Sequence, residues 1–132
     1  MDPILIELQQ ATEGLLFRSE SDYPFEIVDL GLAGQTDLTP AELLTMLGRP
    51  SEAVAETIEL PYFFRNMTRV RPEYTAEMKM EAQRFQVLEQ LLTQKLSQVK
   101  VFRFGAVNVE AYILGTTPKG RLVGLKTRLI ET

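Results

Sequence analysis

An acidic stretch near the amino terminus is the first part of the sequence whose residue types suggest chemistry. Four carboxylates fall within eleven residues, namely Glu20, Asp22, Glu26 and Asp29. Carboxylate oxygens bind hard cations such as Mg²⁺ and Ca²⁺, so a metal site is one interpretation. The stretch lacks the D-x-D-x-D-G spacing of a calcium loop. We therefore favour an acidic surface loop with no metal of its own.

Two other segments resemble ligand-binding motifs more weakly. Residues 115–120 combine two glycines with Lys119, but the lysine precedes the second glycine, unlike the order in a phosphate-binding loop. A hairpin turn explains that segment. Residues 65–71 carry three arginines close to aromatic residues, a combination that can stack on nucleic acid. The segment is short, so we expect a solvated loop and no direct contact with nucleic acid.

The sequence contains no histidine and no cysteine. These absences remove the usual general base near neutral pH, the commonest metal ligand and any cysteine nucleophile. We therefore expect no catalytic residue and no cofactor, and we predict a binding protein rather than an enzyme. A small enzyme with a carboxylate metal site stays an alternative, and it would bind divalent cations on its own.

Charge is distributed unevenly along the chain. The net charge is −4, but residues 1–64 hold 12 acidic and 2 basic residues, whereas residues 65–132 hold 6 acidic and 12 basic residues. An acidic half disfavours nucleic acid as a direct ligand, since phosphate binding needs basic surface. It favours a basic partner or a metal, or it is an acidic solvated surface with no specific role.

The length of 132 residues predicts one domain, residues 1–132. Asp2 caps a first helix that Gly14 ends, residues 17–24 form a polar loop, and residues 25–30 form a strand. The segment Thr39-Pro-Ala-Glu42 is a capping box that begins a second helix.

The carboxyl-terminal half is predicted to contain the longest helix and a strand meander. A strand around residues 53–58 and a short helix over residues 60–67 precede a helix from about residue 72 to residue 98. Its expected buried stripe includes Met78, Phe85 and Leu92. Three alternating segments, at residues 100–104, 107–114 and 122–130, then predict an antiparallel meander. Helices interleaved with a mainly antiparallel sheet indicate an α+β fold built in layers.

Two long segments resemble the signatures of a known family, the nuclease A inhibitors of cyanobacteria. They are residues 8–26 (LQQATEGLLFRSESDYPFE) and residues 112–132 (YILGTTPKGRLVGLKTRLIET). The resemblance runs nearly end to end and is weakest across residues 29–60. It implies a three-layer α/β/α sandwich related to the plant pathogenesis-related-protein fold. It also implies a protein that binds and blocks a magnesium-dependent, sugar-non-specific DNA/RNA endonuclease.

The resemblance also implies which residues contact the nuclease. In the family, the Glu of the Ser-Glu-Ser segment enters the nuclease active site and interacts with its magnesium ion. That residue is Glu20 here, flanked by Ser19 and Ser21. The carboxyl-terminal Thr of the family also contributes contacts, which assigns Thr132 and its α-carboxylate to the interface. We therefore expect Glu20 to be directed at the partner's metal.

One position departs from the family pattern. The family carries an interface Trp before the long helix, whereas this sequence contains no Trp. Alignment without gaps places Glu73 at that position, next to Tyr74. Either Tyr74 substitutes for the Trp, or the affinity is lower, or the partner differs. The alternative function is thus a binding or regulatory module of the same fold with another protein partner.

No segment of the sequence indicates a membrane protein or a secreted one. The amino terminus has an acidic residue where a signal peptide has basic ones. No apolar run approaches the roughly 18–20 residues of a membrane span. We expect a cytoplasmic protein that is a monomer when free.

Overall fold

The computed structural model describes residues 2–32, 38–48 and 55–131. In order along the chain, the elements in these ranges are α1 (Pro3–Thr12), β1 (Leu16–Arg18), β2 (Asp22–Pro24), β3 (Glu26–Leu32), α2 (Pro40–Met46), β4 (Ala55–Ile58), α3 (Leu60–Phe63), α4 (Arg65–Thr68), α5 (Ala76–Lys95), β5 (Ser97–Phe104), β6 (Asn108–Thr116) and β7 (Arg121–Ile130).

An antiparallel sheet forms the centre of the fold. Its strand order is β3-β7-β6-β5-β4, and each neighbouring pair is antiparallel. The predicted meander is therefore confirmed as β5-β6-β7, with β3 and β4 added at the two edges. Strands β1 and β2 form a separate two-stranded hairpin. Helices packed on a mainly antiparallel sheet confirm the predicted α+β class.

Successive residues of the sheet belong to two different cores because side chains alternate along a strand. Val101 and Ile113 pack in the larger core with residues of α1, α3 and α5. Phe102 and Leu114, their sequence neighbours, pack in the smaller core with Leu43 and Leu44 of α2. Helices therefore cover both faces of the sheet. The three-layer sandwich and the likeness to plant pathogenesis-related proteins stay predictions.

Helix starts follow the predicted capping chemistry. The Asp2 carboxylate accepts a hydrogen bond from the Ile4 N–H at 3.1 Å. The Thr39 hydroxyl accepts from the Glu42 N–H at 3.2 Å and lies 3.0 Å from the Glu42 carboxylate. Both caps satisfy backbone donors that the first helical turn leaves unpaired.

Four predictions about local structure are wrong or shifted. The expected loop at residues 17–24 is the β1–β2 hairpin. The long helix begins at Ala76, since Thr75 caps it through the Met78 N–H, and it ends before the first residue of β5, Ser97. Met78 is 47% exposed rather than buried. The expected helix over residues 60–67 is two short helices, α3 and α4. Residues 53 and 54 of the expected strand lie outside the described residues.

None of the helices in the described ranges is both long and apolar enough to cross a membrane.

Candidate functional site

The β1–β2 hairpin places Glu20 at its tip. Arg18 pairs with Asp22 across the two strands, so the connecting loop is Ser19-Glu20-Ser21. We call these three residues the tip loop. Three-residue loops are a common hairpin connection. Glu20, the middle residue, is exposed. The loop therefore presents one carboxylate at the end of a two-stranded ribbon.

Ser19 fixes the tip loop to the last strand of the sheet. Its hydroxyl donates to the Ser21 carbonyl at 2.7 Å and accepts from the Ile130 N–H of β7 at 3.0 Å. The Ser19 N–H also donates to the Ser21 carbonyl at 3.2 Å. Lower in the hairpin, the Thr127 hydroxyl donates to the Pro24 carbonyl at 2.9 Å. These bonds position the tip loop beside residues 130 and 131.

Arg18 connects the hairpin to α5. Its guanidinium donates to both carboxylate oxygens of Glu81 on α5, at 2.7 and 2.9 Å, and to Asp22 at 3.0 Å. A two-point guanidinium–carboxylate bond fixes orientation as well as distance. The same bonds lower the pKa of the Glu81 carboxyl below its ordinary value, although partial burial opposes that shift. Both strands of the hairpin are thereby joined to α5.

Packing at the base of the hairpin completes its support. Phe17 is buried and stacks on Phe63 of α3, with ring centroids 4.6 Å apart and planes 8° apart. Offset aromatic stacking adds to the stability that burial provides. The hairpin is therefore anchored in the larger core while its tip stays at the surface.

Tyr74 lies in the turn before α5, where its N–H donates to the Arg71 carbonyl at 3.1 Å. It is half-buried and lines a cleft of about 430 Å³ together with Arg18, Met78 and Glu81. We call this the Tyr74 cleft. Arg18, the residue before the tip loop, lines this cleft, so Tyr74 shares the cleft with the hairpin.

A second cleft of about 380 Å³ adjoins the first, and the two share Arg18, Asn66 and Met67. We call it the Arg103 cleft, and its lining includes Ser19, Glu56, Tyr62, Arg65, Arg103 and Glu131. Arg103 lies 3.7 Å from the Glu56 carboxylate and pairs with the Glu131 carboxylate. Its Nε is buried without a hydrogen-bond partner among the described residues. The guanidinium therefore contacts its carboxylates through its outer nitrogens.

The four carboxylates of the acidic stretch do not converge. Asp22 pairs with Arg18, whereas Asp29 pairs with Arg121 of β7 at 2.9 Å. A hydrogen bond from the Gly31 N–H is the main cause of the lowered pKa of Asp29. Across residues 2–32, 38–48 and 55–131, no three acidic side chains group as a metal site would require.

Of the five residues predicted from the sequence to contact a partner, three lie together and a fourth lies in a neighbouring cleft. Ser19, Glu20 and Ser21 form the tip loop, and Tyr74 lies in the adjoining region. Thr132 falls outside the described residues, although its predecessor Glu131 lines the Arg103 cleft.

Sequence reasoning missed the residues that support the tip loop. Arg18 carried one signal, as it is one of only two basic residues among the first 64. Its partner Glu81 is 63 positions away, and no local pattern joins them. Arg103 faces Glu56 through the β4–β5 register, which becomes visible only once those strands are paired.

The fold and the site define an α+β domain that presents a braced acidic hairpin between two clefts. Residues 2–132 match the family model described as Nuclease A inhibitor-like protein. The match spans nearly the whole chain, and the protein belongs to this family. A comparison with curated proteins found no match.

Proposed function

We propose that this protein inhibits a magnesium-dependent, sugar-non-specific endonuclease by covering its active site. Family membership supports the nuclease-inhibitor role. In the proposed complex, the tip loop enters the active site and Glu20 is directed at the metal ion of the nuclease. A carboxylate can replace a substrate phosphate oxygen there, since both are hard anionic ligands that Mg²⁺ prefers. The protein acts as a binding partner and not as a catalyst.

The observation that carries this proposal is the bracing of the tip loop. Ser19 joins it to β7, and Arg18 joins its two ends to α5. A loop held in one conformation before binding loses less conformational entropy in the complex. An exposed carboxylate at such a tip is therefore suited to insertion into a partner's cleft.

Charge around the tip loop fits a nucleic-acid-cleaving partner. The described residues of the tip loop, the hairpin and the two clefts include six carboxylates and three guanidiniums: Glu20, Asp22, Glu56, Glu77, Glu81 and Glu131 against Arg18, Arg65 and Arg103. A nuclease has basic surface around its active site because its substrate is a polyanion. Complementary charge speeds association and orients the two proteins.

The chain end is proposed to contribute a second contact. The Ile130 N–H is bonded to the tip loop, and the Glu131 N–H donates to the Val107 carbonyl at 2.9 Å. The first bond links Ile130 to the loop that carries Glu20, and Glu131 lines the Arg103 cleft together with Ser19. Thr132 is the next residue in the sequence, so a contact between Thr132 and the same partner is consistent with the position of Glu131.

Tyr74 is proposed to be an aromatic contact in the cleft next to the hairpin. It is half-buried, so its ring is supported by the protein while part of it remains accessible. Aromatic residues of this kind often dominate the binding energy of an interface. Met78, which is 47% exposed in the same cleft, adds apolar surface next to it.

A second candidate function is a binding module with a different protein partner. The absence of Trp from the sequence favours it, since the family resemblance includes an interface Trp. Under this alternative the tip loop still binds a basic surface, but a sugar-non-specific nuclease retains full activity in its presence.

The experiment that tests the proposal is a comparison of Glu20→Gln with wild type in nuclease inhibition. Loss of the charge should weaken binding by roughly 2–5 kcal/mol, provided that the carboxylate is desolvated in the complex. The exposed Glu7 on α1 lines neither cleft, so Glu7→Gln is the matched control. An unchanged inhibition constant for Glu20→Gln, with both variants folded, would show that Glu20 does not act on the metal.

A further inference from the structure

The Arg103 cleft adjoins the tip loop but has no role in the contacts assigned so far. Ser19 and Glu131 line one part of it, and the α3–α4 segment lines another. Any protein that covers Glu20 would therefore lie close to the mouth of this cleft. Its side chains determine which group of that partner it can accept.

Two carboxylates in the cleft share a single guanidinium. Glu56 and Glu131 are 57% and 48% exposed, whereas Arg103, which contacts both, is only 14% exposed. Arg103 is thus the buried floor and the two acids form the accessible edge. One cation cannot neutralise two anions, so this edge keeps a negative charge.

The other two arginines that line the cleft are engaged elsewhere. Arg18 bonds to Glu81 and Asp22. Arg65 lies over the Tyr62 ring, with its guanidinium carbon 3.8 Å from the ring centroid, and it donates to the Tyr62 carbonyl at 2.7 Å. These bonds direct neither guanidinium towards Glu56 or Glu131. Arg65 keeps its charge, but Asp22 and Glu81 offset Arg18, so the carboxylates at and beside the cleft still outnumber its three guanidiniums.

Tyr62 supplies the apolar wall of the cleft. Tyr62 is 54% exposed, so its ring offers accessible aromatic surface to a partner. The stacked Arg65 holds the ring in place, so little side-chain entropy is lost on contact. Lysine and arginine pack their methylene stems on such rings while their charged ends reach a carboxylate.

We infer that the Arg103 cleft binds a lysine or arginine side chain from the basic rim of the inhibited nuclease. The charged end is held by Glu56 and Glu131, and the stem packs on the part of the Tyr62 ring that Arg65 leaves exposed. This inference rests on the proposed function. It makes Tyr62 a second aromatic anchor, in the cleft that adjoins the Tyr74 cleft, and it extends the interface beyond the tip loop and the chain end.

The test measures the affinity of full-length variants for a magnesium-dependent, sugar-non-specific nuclease by calorimetry. We expect Glu56→Gln to weaken binding about 5- to 10-fold and Tyr62→Ala about 10-fold or more. Tyr62→Phe keeps the ring and should stay within about 3-fold of wild type. The affinity of Glu56→Gln should also fall less steeply with salt, because one charge pair is missing.

Two controls match these changes. Glu59→Gln removes an exposed carboxylate three residues from Glu56 that does not line the cleft, and Met80→Ala truncates an exposed side chain on α5 outside both clefts. Both should bind within about 2-fold of wild type. Thermal unfolding of each variant confirms that the fold is retained.

The outcomes separate this inference from the proposed function. If Glu20→Gln weakens binding but Glu56→Gln and Tyr62→Ala match their controls, the cleft inference is overturned and the proposed function stands. Tighter binding by Glu56→Gln also overturns it, because Arg103 would then be receiving an acidic group. If wild type does not bind the nuclease, both statements fail.

Discussion

Replacement of Ser19 by alanine tests whether the tip loop is held in place by β7. The substitution removes the hydroxyl that donates to the Ser21 carbonyl and accepts from the N–H groups of Ser21 and Ile130. We expect Ser19→Ala to lower the stability of the fold and to weaken nuclease inhibition. Both effects have one cause, the loss of the link between the loop and the sheet.

The size of the stability effect follows from these three bonds. The two exposed bonds to Ser21, one of them long at 3.4 Å, together contribute about 0.5 kcal/mol, at the low end for a net hydrogen bond. The part-buried Ile130 N–H loses its acceptor, which costs about 1 kcal/mol because water can reach it only in part. The sum of about 1–2 kcal/mol should lower the unfolding temperature by about 3 to 8 °C for a chain of this length.

The effect on inhibition is smaller than that expected for Glu20→Gln. Arg18 still joins the hairpin to α5 in Ser19→Ala, so the loop is loosened and not released. Ordering it again in the complex should cost about 1 kcal/mol, or about 5-fold in affinity. The assay pairs thermal unfolding with the inhibition constant from a nuclease titration.

Ser21→Ala is the matched control because it changes the same residue type in the same loop. The bonds recorded for Ser21 use its N–H and carbonyl, which alanine retains. Its unfolding temperature should equal that of wild type, while weaker inhibition would indicate direct contact of its hydroxyl with the nuclease. An unchanged unfolding temperature for Ser19→Ala would refute the reasoning, since the link to Ile130 would then be dispensable.

Three other perturbations test separate parts of the account. Arg18 lowers the pKa of Glu81 below its ordinary 4.5, so their pair stabilises the fold at neutral pH and this contribution is lost as the pH falls through the lowered pKa. The difference in unfolding free energy between wild type and Glu81→Gln, measured over an acid titration, should therefore narrow below about pH 4.5. A difference that stays constant with pH would contradict this. Extension of the chain beyond Thr132 moves the α-carboxylate and should weaken inhibition, so full potency of a tagged protein would argue against that contact. Gly124→Ala places a methyl group against the Ile113 carbonyl between β6 and β7. Urea unfolding should show that the free energy of unfolding falls by about 1–3 kcal/mol. Wild-type stability would mean that β6 and β7 can move apart to accept the methyl group at no cost.

Local chemistry made several elements predictable from the sequence. Asp2 and the Thr39–Glu42 pair identified two helix starts because a cap needs only residues within one turn. Alternating apolar residues identified β6 and β7 because each of these strands is long enough to show its period. In both cases the evidence lies within the segment itself.

Elements that depend on distant residues were not predictable in the same way. The β1–β2 hairpin has three residues in each strand, and it is held by Phe63, Thr127 and Glu81. The end of α5 predicted at residue 98 is too late because Ser97 already pairs with Thr116 of β6, a contact that no local pattern shows. Gln98 has a φ of 55°, at an irregularity between β5 and β6.

The candidate site was predictable only in part. The family resemblance singled out Glu20 and its two serines, and physical patterns gave that glutamate no special role. The supports of the loop come from α5 and β7, so they required the folded structure. Tyr62 and Arg103 emerged only from the shape and charge of a cleft whose lining spans residues 17–131.

The most direct test of the central claim is a titration of a magnesium-dependent, sugar-non-specific nuclease with this protein, followed by plasmid cleavage. The account predicts a sharp loss of nuclease activity near one equivalent of protein. Full cleavage in the presence of a large excess of the protein would contradict it.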